Sequence, residues 1–373
     1  MNLLLNASNV RHGGGVTVCL NLIREFLPLR SADRVYLIHP QGVGYEALGT
    51  FGNVTLLPVP DSFHHSYISK IRHNEYIFRA WCRQYSIDKV VSLGNVAFRC
   101  DGRPQLLYVQ NAFLVYPDSP AWKRLSWRNF LYNSLMDQWA SLHLRQATSF
   151  AVQTEVMKER LIKRFEAEDG KIYLVPNAAD SHSEPAPARL PDGSLKLIFL
   201  SHYYPHKNFE SLLPLARMIA EKRLPVSITL TLNRSKNPAV KELLNDIKKE
   251  GLENILPNGG HIPLAQIGAA MAAHDGLFLP TLLETFSGAY AEALRCGRPI
   301  FTSHYDFAVH SLGDAAFFFD PLNTDAIYRV LEAAVAKPEE MATKAKAAAA
   351  LGLAMPDWPQ IAQHFSDVTD RFV

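Results

Sequence analysis

Two carboxylates eight positions apart, Glu284 and Glu292, stand in the segment Pro280-Thr-Leu-Leu-Glu284-Thr-Phe-Ser-Gly-Ala-Tyr-Ala-Glu292-Ala-Leu-Arg-Cys-Gly297-Arg-Pro299. The apolar run Leu277-Phe-Leu279 before it reads as a strand. A helix is expected to open near Thr285 to Ser287, where a hydroxyl can cap it, and to stop at Gly297 ahead of Pro299. Glu284 then lies in a loop at the carboxyl end of a strand, and Glu292 lies two turns into the helix. The backbone N–H groups of Phe286, Ser287 and Gly288 point out of the helix start and suit a diphosphate. Gly288 removes the side chain that would hinder close approach. A plain capped helix with a surface glutamate uses the same residues without any ligand.

A cation stands in the segment Ser201-His202-Tyr-Tyr-Pro205-His206-Lys207-Asn208, which follows the strand-like run Lys196-Leu-Ile-Phe-Leu200. Lys207 near a helix start opposes the helix dipole unless an anion is present. A third feature, His12-Gly13-Gly14-Gly15, follows the run Asn2 to Asn6 and opens a helical stretch at Val16. Such a turn lets backbone approach a ligand. It fails the dinucleotide fingerprint, because Val18 stands where Gly or Ala is required, and His39-Pro40 replaces the ribose-binding acid. A nicotinamide enzyme is therefore disfavoured.

The elements that must carry these groups alternate. Apolar runs at 2–6, 35–38, 89–93, 105–109, 149–152 and 172–175 are separated by helical stretches at 16–27, 67–85, 122–144 and 155–165. Residues Asn177 to Ser194 hold three Pro, four Ala and three Ser without periodicity and read as a linker. The pattern then restarts with strands at 196–200, 227–232, 276–279 and 299–302, and helices at 209–221, 341–351 and 358–372. Unbroken apolar strands between helices imply parallel sheets covered on both faces, with ligands at the carboxyl ends of the strands.

These residues resemble the retaining glycosyltransferases of family 4. The resemblance rests on Glu284-x7-Glu292 between a strand ending in Pro and Ala-Leu-x-x-Gly-x-Pro, with support from Asn6 to Gly15, Gln153-Thr154, Val175-Pro-Asn177 and the final Trp-containing helix. It implies an α/β protein of the GT-B fold: two Rossmann-like domains facing a central cleft, with a C-terminal helix crossing back to the first. The expected divisions are 1–177 (acceptor domain), 178–194 (linker), 195–355 (nucleotide-sugar domain) and 356–373 (returning helix). Implied catalytic residues are Lys207 on the donor diphosphate, Glu284 on the transferred sugar, and His202. Implied donor contacts are Gly14, Gly15, Asn208, Asn233, His261, Phe286, Ser287, Gly288 and Glu292, the last on the ribose. Gln110 and Asn111 fall on the acceptor side.

Two departures stand out. His202, or Tyr203 in a register shifted by one, occupies the place of the family's Arg, so a permanent charge is missing. A protonated His202 or His206 would replace part of it, and activity would then fall towards high pH. Gln110-Asn111 stands where many members carry His, and neither amide can act as a base. The family implies no essential metal and no cofactor, since Lys and Arg stabilise the leaving diphosphate. It implies as partners a UDP- or GDP-sugar and a glycan or lipid-linked glycan of bacterial surface polysaccharide synthesis.

Composition sets the outer bounds. The 373 residues suit two domains, and 48% hydrophobic with 20% charged residues is ordinary for a globular protein. Residues 1–180 hold 20 Lys and Arg against 15 Asp and Glu, and the remainder 18 against 21. Neither half is basic enough for nucleic-acid binding. No run is long enough to span a bilayer, and Met1 to Asn6 reads as a buried strand rather than a signal peptide. The four cysteines lack metal-ligand spacing. A cytoplasmic protein is expected. Trp122-Lys-Arg-Leu-Ser-Trp127-Arg-Asn-Phe130-Leu-Tyr132 is an aromatic and basic stretch that suits either a helix packed on its own sheet or docking onto the inner face of the cytoplasmic membrane. Two other readings carry over from the same fold: an epimerase or phosphorylase, whose constellations are missing, and a degenerate transferase that binds nucleotide or glycan and regulates a partner.

Overall fold

The computed structural model describes residues 1–178, 193–234 and 237–373. Most of the expected linker, 178–194, lies outside the described residues. The chain forms two compact units. The first comprises Met1–Pro117, Trp127–Asn177 and Pro356–Val373; the second comprises Asp118–Ser126 and Ala178–Met355.

The first unit is built on seven parallel strands: β1 (Asn2–Asn6), β2 (Arg34–Pro40), β3 (Val54–Val59), β4 (Lys89–Ser92), β5 (Gln105–Val109), β6 (Ser149–Val152) and β7 (Ile172–Leu174). They lie in the order β3-β2-β1-β4-β5-β6-β7. The run Leu3-Leu4-Leu5 on β1 is wholly buried, as a central strand covered on both faces must be. The strand order reverses at β1 and β4, so their carboxyl ends open a crevice where such sheets bind ligands.

The second unit has five parallel strands, β8 (Leu195–Phe199), β9 (Val226–Leu230), β10 (Gly276–Leu279), β11 (Ile300–Ser303) and β12 (Ala316–Phe319), in the order β12-β11-β10-β8-β9. Here the order reverses between β8 and β10. The expectation of two Rossmann-like parallel sheets holds. β3 and β12 were not anticipated. Both are edge strands, and β3 is broken in pattern by Pro58 and half exposed.

Two local readings are corrected. The stretch 67–85 is not one helix: Tyr67–Arg72 and Phe78–Gln84 flank a π-helical turn at His73–Ile77. The helix expected from Trp122 begins at Trp127 and runs to Leu144, because Pro120–Arg124 forms a separate 3-10 turn started by Ser119. That turn belongs to the second unit although its sequence neighbours belong to the first.

The final helix, Trp358–Arg371, is part of the first unit. Asp357 and Gln360 close a reciprocal capping box at its start. Phe365 packs edge-on against Phe26 at 5.2 Å, and Arg30 pairs with Asp370 at 2.7 Å. The Lys89 ammonium donates to the carbonyls of Thr369, Asp370 and Phe372 at 2.8–3.0 Å, a cation placed where the helix dipole is negative.

Candidate functional site

In the second unit the loop after β8 carries His202, His206, Lys207 and Asn208, and the loop after β10 carries Thr281 and Glu284. The two loops are tied by backbone, with Leu282 N donating to His206 O at 2.7 Å. At this crossing the Lys207 ammonium donates to Glu284 Oε1. The Thr281 hydroxyl donates to the same oxygen at 2.9 Å. Lys207 is only 9% exposed, so the pair sits in a poorly hydrated place where its mutual attraction is strong.

Asn208 adopts a left-handed conformation, φ 59°, which an Asn tolerates better than most residues. Its amide donates to Pro321 O at 2.8 Å and its oxygen accepts from Arg124 at 3.2 Å. Ser119 Oγ donates to Leu282 O at 3.1 Å. The segment 118–126 therefore braces both loops, a role that its sequence did not reveal.

The helix after Glu284 runs from Gly288 to Arg295. Ser287 is its N-cap residue, buried, but contrary to expectation its hydroxyl makes no capping bond. A Cβ added at Gly288 would meet nothing within 4 Å, so packing does not demand the glycine. Phe286 is half-buried ahead of the cap, and Glu292 is buried on the second turn. Gly297 ends the helix with φ 63°. His202 stacks on His261 with centroids 5.5 Å apart, and Asn233 is half-buried just beyond β9.

His206 does not supply the missing charge. Burial, and then the neighbouring Lys207 cation, push its pKa down to about 4, with Glu284 pulling the other way. Its ring is therefore neutral at neutral pH.

Residues 180–351 match the family model described as Glycosyl transferases group 1. Solved structures agree with the fold over almost the whole chain. Sucrose-phosphate synthase from Thermosynechococcus elongatus is 14% identical, with a TM-score of 0.75, covering 100% of this chain and 98% of that one. Anabaena Alr3699/HepE, solved in complex with UDP and glucose, is 17% identical with a TM-score of 0.70 and 99% coverage of both chains. WaaG, a glycosyltransferase involved in lipopolysaccharide biosynthesis, is 14% identical with a TM-score of 0.69 and full coverage of both chains. Among the curated proteins nothing matches significantly. The fold is GT-B. The glycosyl transferases group 1 match contains Lys207, Glu284, Ser287, Gly288 and Glu292.

His202, Asn208, Asn233, His261 and Phe286 also fall within it, whereas Gly14, Gly15, Gln110 and Asn111 lie outside that match, in the first unit. Gly14 and Gly15 open the helix Gly14–Leu29, with Gly13 at φ 67° as its cap. Gln110 turns inward, its amide facing Cys19 Sγ at 3.6 Å and Leu93 O at 3.4 Å. Asn111 lines a cavity of about 330 Å³ at the carboxyl ends of β1, β4 and β5. The backbone N–H groups of Gln110 and Asn111 are both held by the Asn95 side chain. All four cysteines are free and buried. Burial pushes the Cys19 and Cys82 thiols up to about 12 and Cys100 to about 11, which makes them inert. Among the described residues no group of three His, Cys, Asp or Glu is arranged to hold a metal ion, and no helix is long and apolar enough to cross a membrane.

Proposed function

We propose that this protein is a retaining, metal-independent glycosyltransferase that moves a hexose-type sugar from a UDP- or GDP-sugar to a glycan or lipid-linked glycan. The observation that carries this reading is the Lys207–Glu284 pair at the point where the strand order of the second sheet reverses. That is where nucleotides bind in open parallel sheets.

The pair also suggests the order of events. An arriving diphosphate draws the Lys207 ammonium away from Glu284, and the freed carboxylate accepts from sugar hydroxyls. As the bond from the sugar C1 to the phosphate oxygen breaks, charge grows on the leaving diphosphate. A fixed cation stabilises that state more than the ground state. The acceptor oxygen bonds to C1 from the same face, and its proton passes to the leaving phosphate oxygen, so no protein base is needed. The uncapped start of the Gly288 helix adds N–H groups to the phosphates, and Glu292 takes the ribose hydroxyls. HepE was solved with UDP and glucose, and WaaG acts in lipopolysaccharide biosynthesis; both are in keeping with this donor and acceptor class.

A cytoplasmic, peripheral association with the membrane belongs to the same proposal. On the Trp127–Leu144 helix, Trp127 is 72% exposed, and Phe130, Leu131, Leu135 and Leu142 are also exposed, with Arg128 and Arg145 beside them. Such a face suits an anionic bilayer surface.

A second reading, a degenerate transferase that binds nucleotide or glycan and regulates a partner, is favoured by the site's charge. Glu284 neutralises Lys207, His206 is neutral, and no Arg stands at position 202. Incubation with UDP- and GDP-sugars, followed by NMR of the new anomeric centre, decides between them. Product with the donor's anomeric configuration supports retaining transfer. Nucleotide binding without turnover supports the regulatory reading. No stabilisation by any nucleoside diphosphate in a thermal-shift screen sinks both.

A further inference from the structure

The first-unit cavity is lined by two permanent cations and three imidazoles. Arg11 and His12 come from the loop after β1, His64 and His65 from the turn Ser62–His65, and Lys70 from the helix Tyr67–Arg72. Lys70 is 8% exposed. Among the described residues it has no carboxylate partner: its ammonium donates to the Tyr132 hydroxyl at 3.2 Å and lies 5.6 Å from that ring. The Arg11 guanidinium has no hydrogen bond or ion pair among the described residues. His64 Nε2 is buried and unsatisfied. The one acid on the wall, Asp137, is taken by Arg164, with contacts of 2.6 and 3.2 Å.

Buried charges in proteins are ordinarily paired, because each unpaired ion costs several kcal/mol. Here a buried ammonium, a half-buried guanidinium and an unsatisfied imidazole converge on an open space, and among the described residues neither permanent cation has a carboxylate partner. The crowding is felt by His64, whose pKa is pushed down to about 4, by burial first and then by Arg11, Lys70 and His65, against the pull of Asp61. The cavity also lies at the point where the first sheet reverses its order, and Gly94 lets the loop after β4 close on Asn9, since a Cβ there would come within 2.9 Å of the Asn9 Cβ. A π-helical turn, His73–Ile77, begins three residues after Lys70. Asn74 from that turn donates to Lys70 O at 2.8 Å, which fixes the backbone behind the ammonium.

We propose that this cavity binds a phosphate ester, with Arg11 and Lys70 gripping its oxygens and His64 Nε2 and the Tyr132 hydroxyl completing the shell. Two permanent positive charges match a phosphate dianion better than a single carboxylate, and guanidinium and ammonium are the usual phosphate ligands. That this ester belongs to the acceptor rests on the transferase reading above; that it binds does not. The helix wall supplies a second feature. Tyr132, Met136 and Ala140 face the cavity, while Trp127, Leu131 and Leu135 form the neighbouring exposed stripe about 100° round the same helix. Ile68 and Ile71, beside Lys70, are exposed as well. The phosphate is therefore either that of a soluble sugar phosphate or the head of an amphiphile whose chain covers this stripe.

Calorimetric titration tests this, with inorganic phosphate, glucose 1-phosphate, farnesyl phosphate and the neutral methyl glucoside as probes. Arg11→Gln and Lys70→Met should each weaken glucose 1-phosphate or farnesyl phosphate at least about tenfold, and methyl glucoside should not bind measurably. Arg11 is a loop residue, so Arg11→Gln keeps the test valid should Lys70→Met fold poorly. All titrations are repeated in a Lys207→Ala background, where the first-unit site should be untouched. UDP binding, by contrast, should be lost with Lys207→Ala and kept with Arg11→Gln. Failure of UDP binding alone overturns the transferase reading and leaves this one standing. Phosphate esters that bind equally to wild type and both variants, or no better than methyl glucoside, overturn the cavity assignment. Tighter binding of farnesyl phosphate than of glucose 1-phosphate assigns the lipid source, and the reverse order assigns the soluble one.

Discussion

Two buried lysines divide the molecule's chemistry. Lys207 in the second unit and Lys70 in the first are about equally shielded from water, at 9% and 8% exposure. Lys207 has a carboxylate, Glu284, and a threonine hydroxyl that steadies the same oxygen. Among the described residues Lys70 has only a phenol. A paired cation is stable in the resting protein and must exchange partners when an anion arrives. An unpaired one holds its site open at a cost to the resting protein and makes up that cost on binding.

The largest expected effect comes from Lys207→Ala, which should lower the rate of sugar transfer by about 10³-fold, the scale of losing one transition-state contact. Initial rates with a saturating donor check it. A rate within threefold of wild type would show that the charge on the leaving group is met elsewhere.

Stability separates the two lysines by sign. Lys207→Met strands the Glu284 carboxylate and should cost about 3 kcal/mol in urea unfolding, with Lys207→Met/Glu284→Gln recovering most of it. Acid should expose the same region by a different route. His206 has a folded pKa of about 4, below the usual 6.5, so on acidification the unfolded chain takes up its proton first. The stability from a neutral His206 is complete above pH 6.5 and is lost as pH falls towards 4. Allowing for the ring's partial exposure, the loss is about 2 kcal/mol, and His206→Gln should flatten that part of the profile. His64 contributes in the same direction, so one component of the acid slope should survive. The activity profile above pH 7 should show no step from His206.

The smallest effect has the opposite sign. Lys70→Met replaces an unpaired buried ion by a side chain of similar length, and should raise stability by about 1 kcal/mol. A drop instead would mean that Lys70 is compensated in the free protein, and the contrast between the lysines would dissolve.

Much of this was legible in the sequence where the signal is local. β1 and β10 are unbroken apolar runs, and the helix bearing Glu292 is bracketed by Ser287 and Gly297, so loop, helix start and C′ glycine could be placed in advance. Lys207 and Glu284 were each singled out, yet the sequence gives no hint that they pair, because 77 residues separate them. β3 escaped because an edge strand carrying Pro58 loses the alternation that marks a strand. The phosphate cavity escaped for a topological reason. Arg11, His64, Lys70 and Tyr132 are ordinary residues in four separate stretches, and only the reversal of strand order gathers them. The bracing of Asn208 by Arg124 was hidden by the same non-locality.

The backbone passes from one unit to the other after residues 117, 126, 177 and 355. A gene divided between 178 and 194 would therefore not yield two self-sufficient halves. The upstream product would lack the helix that covers Phe26 and occupies Lys89, while carrying a turn whose partners, Leu282 and Asn208, are on the other product. Chimaeras that exchange sugar-donor specificity between relatives should transplant residues 118–126 together with 178–355, with junctions at all four crossings.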